Sequence, residues 1–184
     1  TRLLTVTGVQ TCALPIFQRY VKKKRKHRLM IIISHRGLLD GPNYQLENKP
    51  EQIEKCIELG YDVEIDLRCE NDKLYLGHDR SQYEISFEWL CHNRTSLWIH
   101  CKNSQSLFYM LDKNKDFDGF NFFYHNNDDY TLTSKGIIWS YPNKPYNKNC
   151  VVVLPEWNTS IHDLSQLLNS DCYGICTDFV NYLK

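Results

Sequence analysis

The chain reads as an α/β domain built on a largely parallel sheet, and three observations predict it. Residues Met30–Ser34 form an unbroken apolar run, as expected of a strand buried on both faces. Strand-like runs then alternate with helix-like segments, which implies right-handed crossovers between parallel strands. The 184 residues, 42% apolar and 24% charged, suit one soluble globular core.

Each element has its own signals. Gly37 and the cluster Asp40-Gly41-Pro42-Asn43 make a loop after the first strand. Pro50 suits the first turn of a helix, Ile53, Cys56 and Ile57 form an i, i+3, i+4 stripe, and Gly60 ends it. Val63, Ile65 and Leu67 alternate with Glu64, Asp66 and Arg68, giving a strand with one apolar and one charged face. Asn71-Asp72 is a turn, and Lys73–Leu76 a short extended piece. A brief helix around Phe87–His92 precedes a strand over Leu97–Lys102. Ser104–Leu111 reads as a helix with Leu107, Phe108 and Leu111 on one side. Beyond it the extended runs Phe117–Tyr124, Gly136–Tyr141 and Val151–Leu154 follow one another with loops in place of helices. His162–Leu168 is an amphipathic helix, and Gly174–Thr177 a last strand ending at Asp178. The expectation is about seven strands and four helices, with no internal repeat.

The formal charge of zero hides an uneven distribution. Residues 1–29 carry eight Lys/Arg and no acid, so the rest holds 22 − 8 = 14 basic against 22 acidic residues, a net of −8. An acidic body makes nucleic acid an unfavourable partner. Val6–Ile16 resembles a translated sequencing-library adapter and shows no helix or strand period. Residues 1–29 are accordingly expected to be a non-native, disordered leader, with Met30 opening the single domain 30–184. A signal peptide would carry its charges before the apolar stretch, whereas Lys22–Arg28 follow it. No apolar run approaches the ~20 residues of a membrane span. Apart from Cys12, seven scattered cysteines form no C-x-x-C pair, and with no export signal the expected home is a reducing cytoplasm.

The chemistry-bearing residues concentrate between Ile31 and Asp79. In order they are Ser34-His35-Arg36-Gly37, Glu47-Asn48-Lys49-Pro50, Glu64-Ile65-Asp66 and Gly77-His78-Asp79. Glu64 and Asp66, two apart on a strand, project together and suit a hard divalent cation such as Mg²⁺ or Ca²⁺. His35 and His78 titrate near neutrality and suit acid–base work, while Arg36 offers a fork matched to phosphate oxygens. Any one of these residues alone reads as ordinary strand-end or surface chemistry. The ordered set is specific.

That set, H-R-G, E-N-x-P, E-x-D and G-H-D, resembles the glycerophosphodiester phosphodiesterase family, relatives of the phosphatidylinositol-specific phospholipases C. The resemblance implies a (β/α)8 barrel, which usually takes ~250 residues. With 155 residues from Met30 onward, the expectation is a shortened, irregular TIM-barrel-like domain, an open doubly wound sheet being the alternative. The resemblance further implies that His35 and His78 are the acid–base pair and that Glu64, Asp66 and Glu47 lie at a metal site. Lys102 matches the lysine of the family's third-strand E-x-K motif. There His100 stands in place of a glutamate ligand, which admits divalent metals other than Mg²⁺ or Ca²⁺. Glu156 and Asp178, each following a strand, are candidate substrate-binding residues with Arg36 and Lys102. His125 is a weaker candidate at the same mouth.

The implied activity is metal-dependent hydrolysis of a small glycerophosphodiester-like substrate to an alcohol and a phosphomonoester. Alternatives are a phospholipase C/D-like reaction leaving a cyclic phosphate, or a non-catalytic metal- or phosphate-binding relative. A membrane lipid is disfavoured at this level because no apolar lip is legible. Trp139, Tyr141 and Trp157 read first as core aromatics and second as pocket lining.

Overall fold

A computed structural model describes residues 30–116 and 119–183. The basic N-terminal stretch, with its adapter-like segment, lies outside them. The elements are β1 (Ile31–His35), α1 (Pro50–Glu58), β2 (Asp62–Glu70), β3 (Lys73–Leu76), β4 (Tyr83–Ile85), α2 (Phe87–Asn93) and β5 (Leu97–Cys101). There follow α3 (Ser104–Asp116), β6 (Asn121–Phe123), β7 (Tyr130–Leu132), β8 (Ile138–Ser140), β9 (Cys150–Val153) and β10 (Gly174–Thr177). Short 3₁₀ helices cover Pro155–Trp157, Ile161–Asn169 and Val180–Leu183.

First and last strands lie side by side: β1 pairs in parallel with β10 on one edge and β2 on the other. From that pair the parallel order runs outward to β5 and β6 one way, and to β9 and β8 the other. The sheet therefore curls into a partial barrel, and the alternative of an open doubly wound sheet does not apply, because that fold carries helices on both faces whereas α1, α2 and α3 all pack on one. Beyond β6 the chain turns back. The Ser134 N–H donates to Phe122 O at 2.8 Å, and the Phe122 N–H donates to Ser134 Oγ at 3.0 Å. Antiparallel β3 and β4 extend the far end of β2, and β7 lies antiparallel on β8.

The alternation along the strands sorts two cores. Outward Val63, Ile65, Leu67, Ile99 and Cys101 pack with Ile53 and Cys56 of α1, Leu90 of α2 and Met110 of α3. Inward Ile33, Trp98, Phe123, Trp139, Val151, Val153 and Cys176 fill the middle of the curl. Above that apolar layer the same inward positions, one step nearer the strand C-termini, are His35, Glu64, Asp66 and His100. The period-two pattern places all four on one side of the sheet.

Two expectations change. The segment expected as an amphipathic α-helix at His162–Leu168 is a 3₁₀ helix, with Ser160 Oγ accepting from the His162 N–H. A three-residue period aligns Ile161, Leu164 and Leu167, and these three face Ile175 and Leu183. β4 and β7 were not legible, because three residues of mixed polarity display no period. No helix among the described residues is long and apolar enough to cross a membrane.

Candidate metal and acid–base site

Strand register brings the predicted residues together. His35 lies opposite Glu64, and Asp66 opposite His100, at the C-terminal ends of β1, β2 and β5. Glu64, Asp66 and His100 are all buried, and one donor atom of each lies within 4.8 Å of the others. His100 Nδ1 is 3.6 Å from Glu64 Oε1 and 3.4 Å from Asp66 Oδ1.

Asp66 is held from one side. Its Oδ2 accepts from Asn48 Nδ2 at 2.9 Å and pairs with Arg36 Nε at 3.0 Å. The Asp66 N–H donates to Asn48 Oδ1, also at 2.9 Å. Oδ1 is buried without a hydrogen-bond partner among the described residues and has Lys102 Nζ 3.7 Å away. Burial would push the Asp66 carboxyl up, but the close His100 Nδ1 contact and the charges of Arg36, His100 and Lys102 outweigh it and hold it far below the carboxylate range. Burial likewise pulls the His100 imidazolium down, yet its contacts with Asp66 and Glu64 leave it raised.

The ring of His100 stacks on Phe123 at 4.9 Å and on His125 at 4.6 Å, with interplanar angles of 15° and 10°. Tyr141 meets His125 edge-on at 4.9 Å. Burial, with the nearby charges of His100 and Lys102, lowers the His125 imidazolium to about 4, so this ring is neutral near pH 7.

On β1, His35 Nδ1 hydrogen-bonds Asp178 Oδ1 at 2.7 Å, which leaves Nε2 on the side of Glu64, 3.9 Å from Oε2. Burial lowers the His35 imidazolium, but the Asp178 bond and the Glu64 charge more than offset it, so its pKa is raised. Glu156 Oε1 accepts the Asp178 N–H at 2.8 Å and so acts behind Asp178.

The loops that complete the site are held in unusual backbone. Arg36 and Asn48 adopt left-handed φ of 53° and 58°. Such strain costs ~1–2 kcal/mol per residue and persists only where surrounding contacts impose it. Here the Arg36 N–H donates to Glu64 O at 2.9 Å, and the Asn48 N–H to Arg36 O at 2.8 Å. The Arg36 guanidinium also reaches Glu47 Oε2 at 3.0 Å. Gly77 has φ 147°, and a Cβ there would lie 2.1 Å from Arg80 O, so the turn into His78 requires glycine. Arg68 clamps that turn: Nε donates to Gly77 O at 3.1 Å and a terminal nitrogen to His78 O at 2.5 Å. His78 Nδ1 bonds Asp79 Oδ1 at 2.6 Å.

His35, Arg36, Glu47, Glu64, His78, His100, Lys102 and Asp178 line one cavity of about 490 Å³. Glu47 engages Arg36 and is not one of the three clustered donors; Glu156 does not line the cavity. Tyr44, Trp139, Tyr141, Pro142 and Trp157 are also part of the wall, and Tyr44 and Trp157 are 83% and 65% exposed. The apolar lip absent from the sequence reading is therefore present. A second hollow of about 570 Å³, around Ile31, Asp62, Asn121 and Tyr173, opens at the opposite strand ends and holds none of these groups. Sequence reasoning did not assign roles to Asn48, Arg68 and Tyr44. Asn48 stood inside the E-N pair, and Arg68 shares the inward face of Glu64 and Asp66; Tyr44 carried no signal. No protein family, curated protein or solved structure matches this chain.

Proposed function

We propose that the protein is a divalent-metal-dependent phosphodiester hydrolase on a shortened TIM-barrel-like scaffold, acting on a small glycerophosphodiester-like substrate. The observation that carries the reading is one cavity lined by Glu64 and His100, two members of the buried donor cluster that Asp66 completes behind them, together with a histidine, His35, oriented by a carboxylate. With the Asp178–His35 pair protonated and so neutral, three acidic residues (Glu47, Glu64, Asp66) against two fixed cations (Arg36, Lys102) leave one negative charge in excess when His100 is neutral. A divalent ion converts that to one positive charge, matched to a phosphodiester monoanion. The unpartnered Asp66 Oδ1 fits such an ion. When bound, the ion would withdraw charge from a phosphoryl oxygen.

The protein's own groups supply the remaining chemistry. Arg36, fixed by Glu47 and Asp66, presents donors to the phosphoryl oxygens. Asp178 holds His35 by Nδ1, so Nε2 is the atom that exchanges a proton with the nucleophile or the leaving oxygen. His78, on the opposite loop, takes the complementary step. Water attacks phosphorus, the P–O bond to the alcohol breaks, and the departing oxygen receives a proton. Among the described residues seven free thiols, five of them buried, fit a cytoplasmic setting.

The exposed aromatic lip of Tyr44 and Trp157 favours a second reading, in which the substrate is a lipid phosphodiester whose own hydroxyl attacks and leaves a cyclic phosphate. Phosphorus NMR of products from glycerophosphodiesters and lysophospholipids separates the two, since only the second accumulates a cyclic species. Turnover that survives both a chelator and His35→Ala would sink either version.

A further inference from the structure

The most distinctive feature of the centre is how its nitrogen donor is held. A metal-bound histidine normally donates its other ring N–H to a carboxylate, carbonyl or water, and that bond fixes the ring. His100 Nε2 is buried and has no hydrogen-bond partner among the described residues. What fixes the ring is its contact with Phe123 and His125, two rings nearly parallel to it that both approach from the β6 side and lie 6.2 Å from each other. The stack follows from register: His100 lies opposite Phe123 across β5 and β6, and His125 stands two residues beyond on the same side. Rotation of His100 away from Glu64 and Asp66 would break both ring contacts.

We propose that this ring stack makes the cluster a centre selective for a transition-metal ion such as Fe²⁺, Co²⁺ or Zn²⁺ over Mg²⁺ or Ca²⁺, with His100 Nδ1 as ligand and His125 as the residue that positions it. Imidazole nitrogen gains most from borderline ions, whereas Mg²⁺ and Ca²⁺ gain most from oxygen. Because the ring is pre-aimed by packing, the nitrogen is offered whether or not an ion is present. His125 is not one of the donors that lie within 4.8 Å of one another, so its part is positional. The inference rests on the proposed metal site but is independent of hydrolysis.

The test uses the full chain and metal ions alone. Pulsed EPR of the Mn²⁺-loaded protein reads directly bound nitrogen as ¹⁴N coupling, which His100→Glu must abolish. Calorimetric titrations with Zn²⁺, Co²⁺, Mg²⁺ and Ca²⁺ read selectivity. His100→Glu is expected to narrow the Zn²⁺/Mg²⁺ affinity ratio at least ~10-fold, by exchange of a nitrogen for an oxygen donor. His125→Ala is expected to weaken Zn²⁺ binding ~10-fold, in the range for loss of a ligand-orienting group, while His125→Phe, which keeps the ring, restores it. Circular dichroism confirms that each variant is folded. Mn²⁺ bound without nitrogen coupling, or an unchanged ratio in His100→Glu, overturns this inference and leaves a carboxylate metal site standing. Equal losses in His125→Ala and His125→Phe overturn the positioning role. Failure of every ion to bind overturns the inference and the metal site together.

Discussion

Asn48 offers the most direct test of how the site is built, because its effect is read as stability and needs no substrate. The side chain is fully buried and makes two bonds to one residue, Nδ2 to Asp66 Oδ2 and Oδ1 from the Asp66 N–H, both at 2.9 Å. Asn48→Ala removes both. A hydrogen bond to a charged group contributes ~1.5–3 kcal/mol, and a buried amide left unsatisfied costs ~1–3 kcal/mol. Alanine at φ 58° also loses the tolerance of asparagine for left-handed backbone. The expected destabilisation is about 3–5 kcal/mol, a large share of the ~5–15 kcal/mol of a typical domain. With a urea m-value of ~2 kcal/mol per M, the unfolding midpoint should fall by ~2 M at unchanged m. Asn48→Gly loses the same bonds but accepts the backbone freely, so it should lie ~1 kcal/mol above the alanine variant. A midpoint for Asn48→Ala within ~0.5 M of wild type would refute the claim that Asn48 locks Asp66, since the m-value converts that shift to only ~1 kcal/mol.

Asp178→Asn should bring the His35 titration, followed by proton NMR, down toward the ordinary ~6.5, because its raised pKa depends on the Asp178 bond. The linked stability is fully present below ~6.5 and is lost as pH rises through the raised folded value; in Asp178→Asn that slope should shrink, and an unchanged slope would contradict the pairing. Divalent-ion affinity should climb as pH rises toward the raised pKa of His100 and level off above it, since Nδ1 must shed its proton to coordinate; a flat profile in calorimetric titrations would exclude His100 as ligand. Arg68→Ala should release the turn that carries His78 and lower kcat ~10²-fold, the cost of misplacing a reacting group by ~1 Å, with Mn²⁺ affinity unchanged. Equal kcat in both proteins would deny Arg68 a positioning role.

Much of the site was legible in the chain because strand periodicity is a local property. Glu64, Asp66 and Arg68 had to share a face, and His35, His100 and Asp178 had to lie at or near strand ends, wherever those strands went. The helix of Pro50 and the strand of Val63 carried their own start and stop signals, so their bounds shifted by two residues at most. Elements without a readable period, β4, β7 and the 3₁₀ run at Ile161–Asn169, needed the core against which they pack.

Only the tertiary structure decided the partnerships. That Asp178 holds His35, 143 positions away, follows from β1 and β10 being neighbours, and no local pattern encodes that pairing. Glu47 and Asn48 exchanged their expected importance because a left-handed turn at Asn48 points its amide at Asp66 and leaves Glu47 to Arg36. The stack that aims His100 likewise depends on the β5–β6 register. Side-chain direction along a strand is set by the chain itself; which side chains meet is set by how distant strands are shifted against one another.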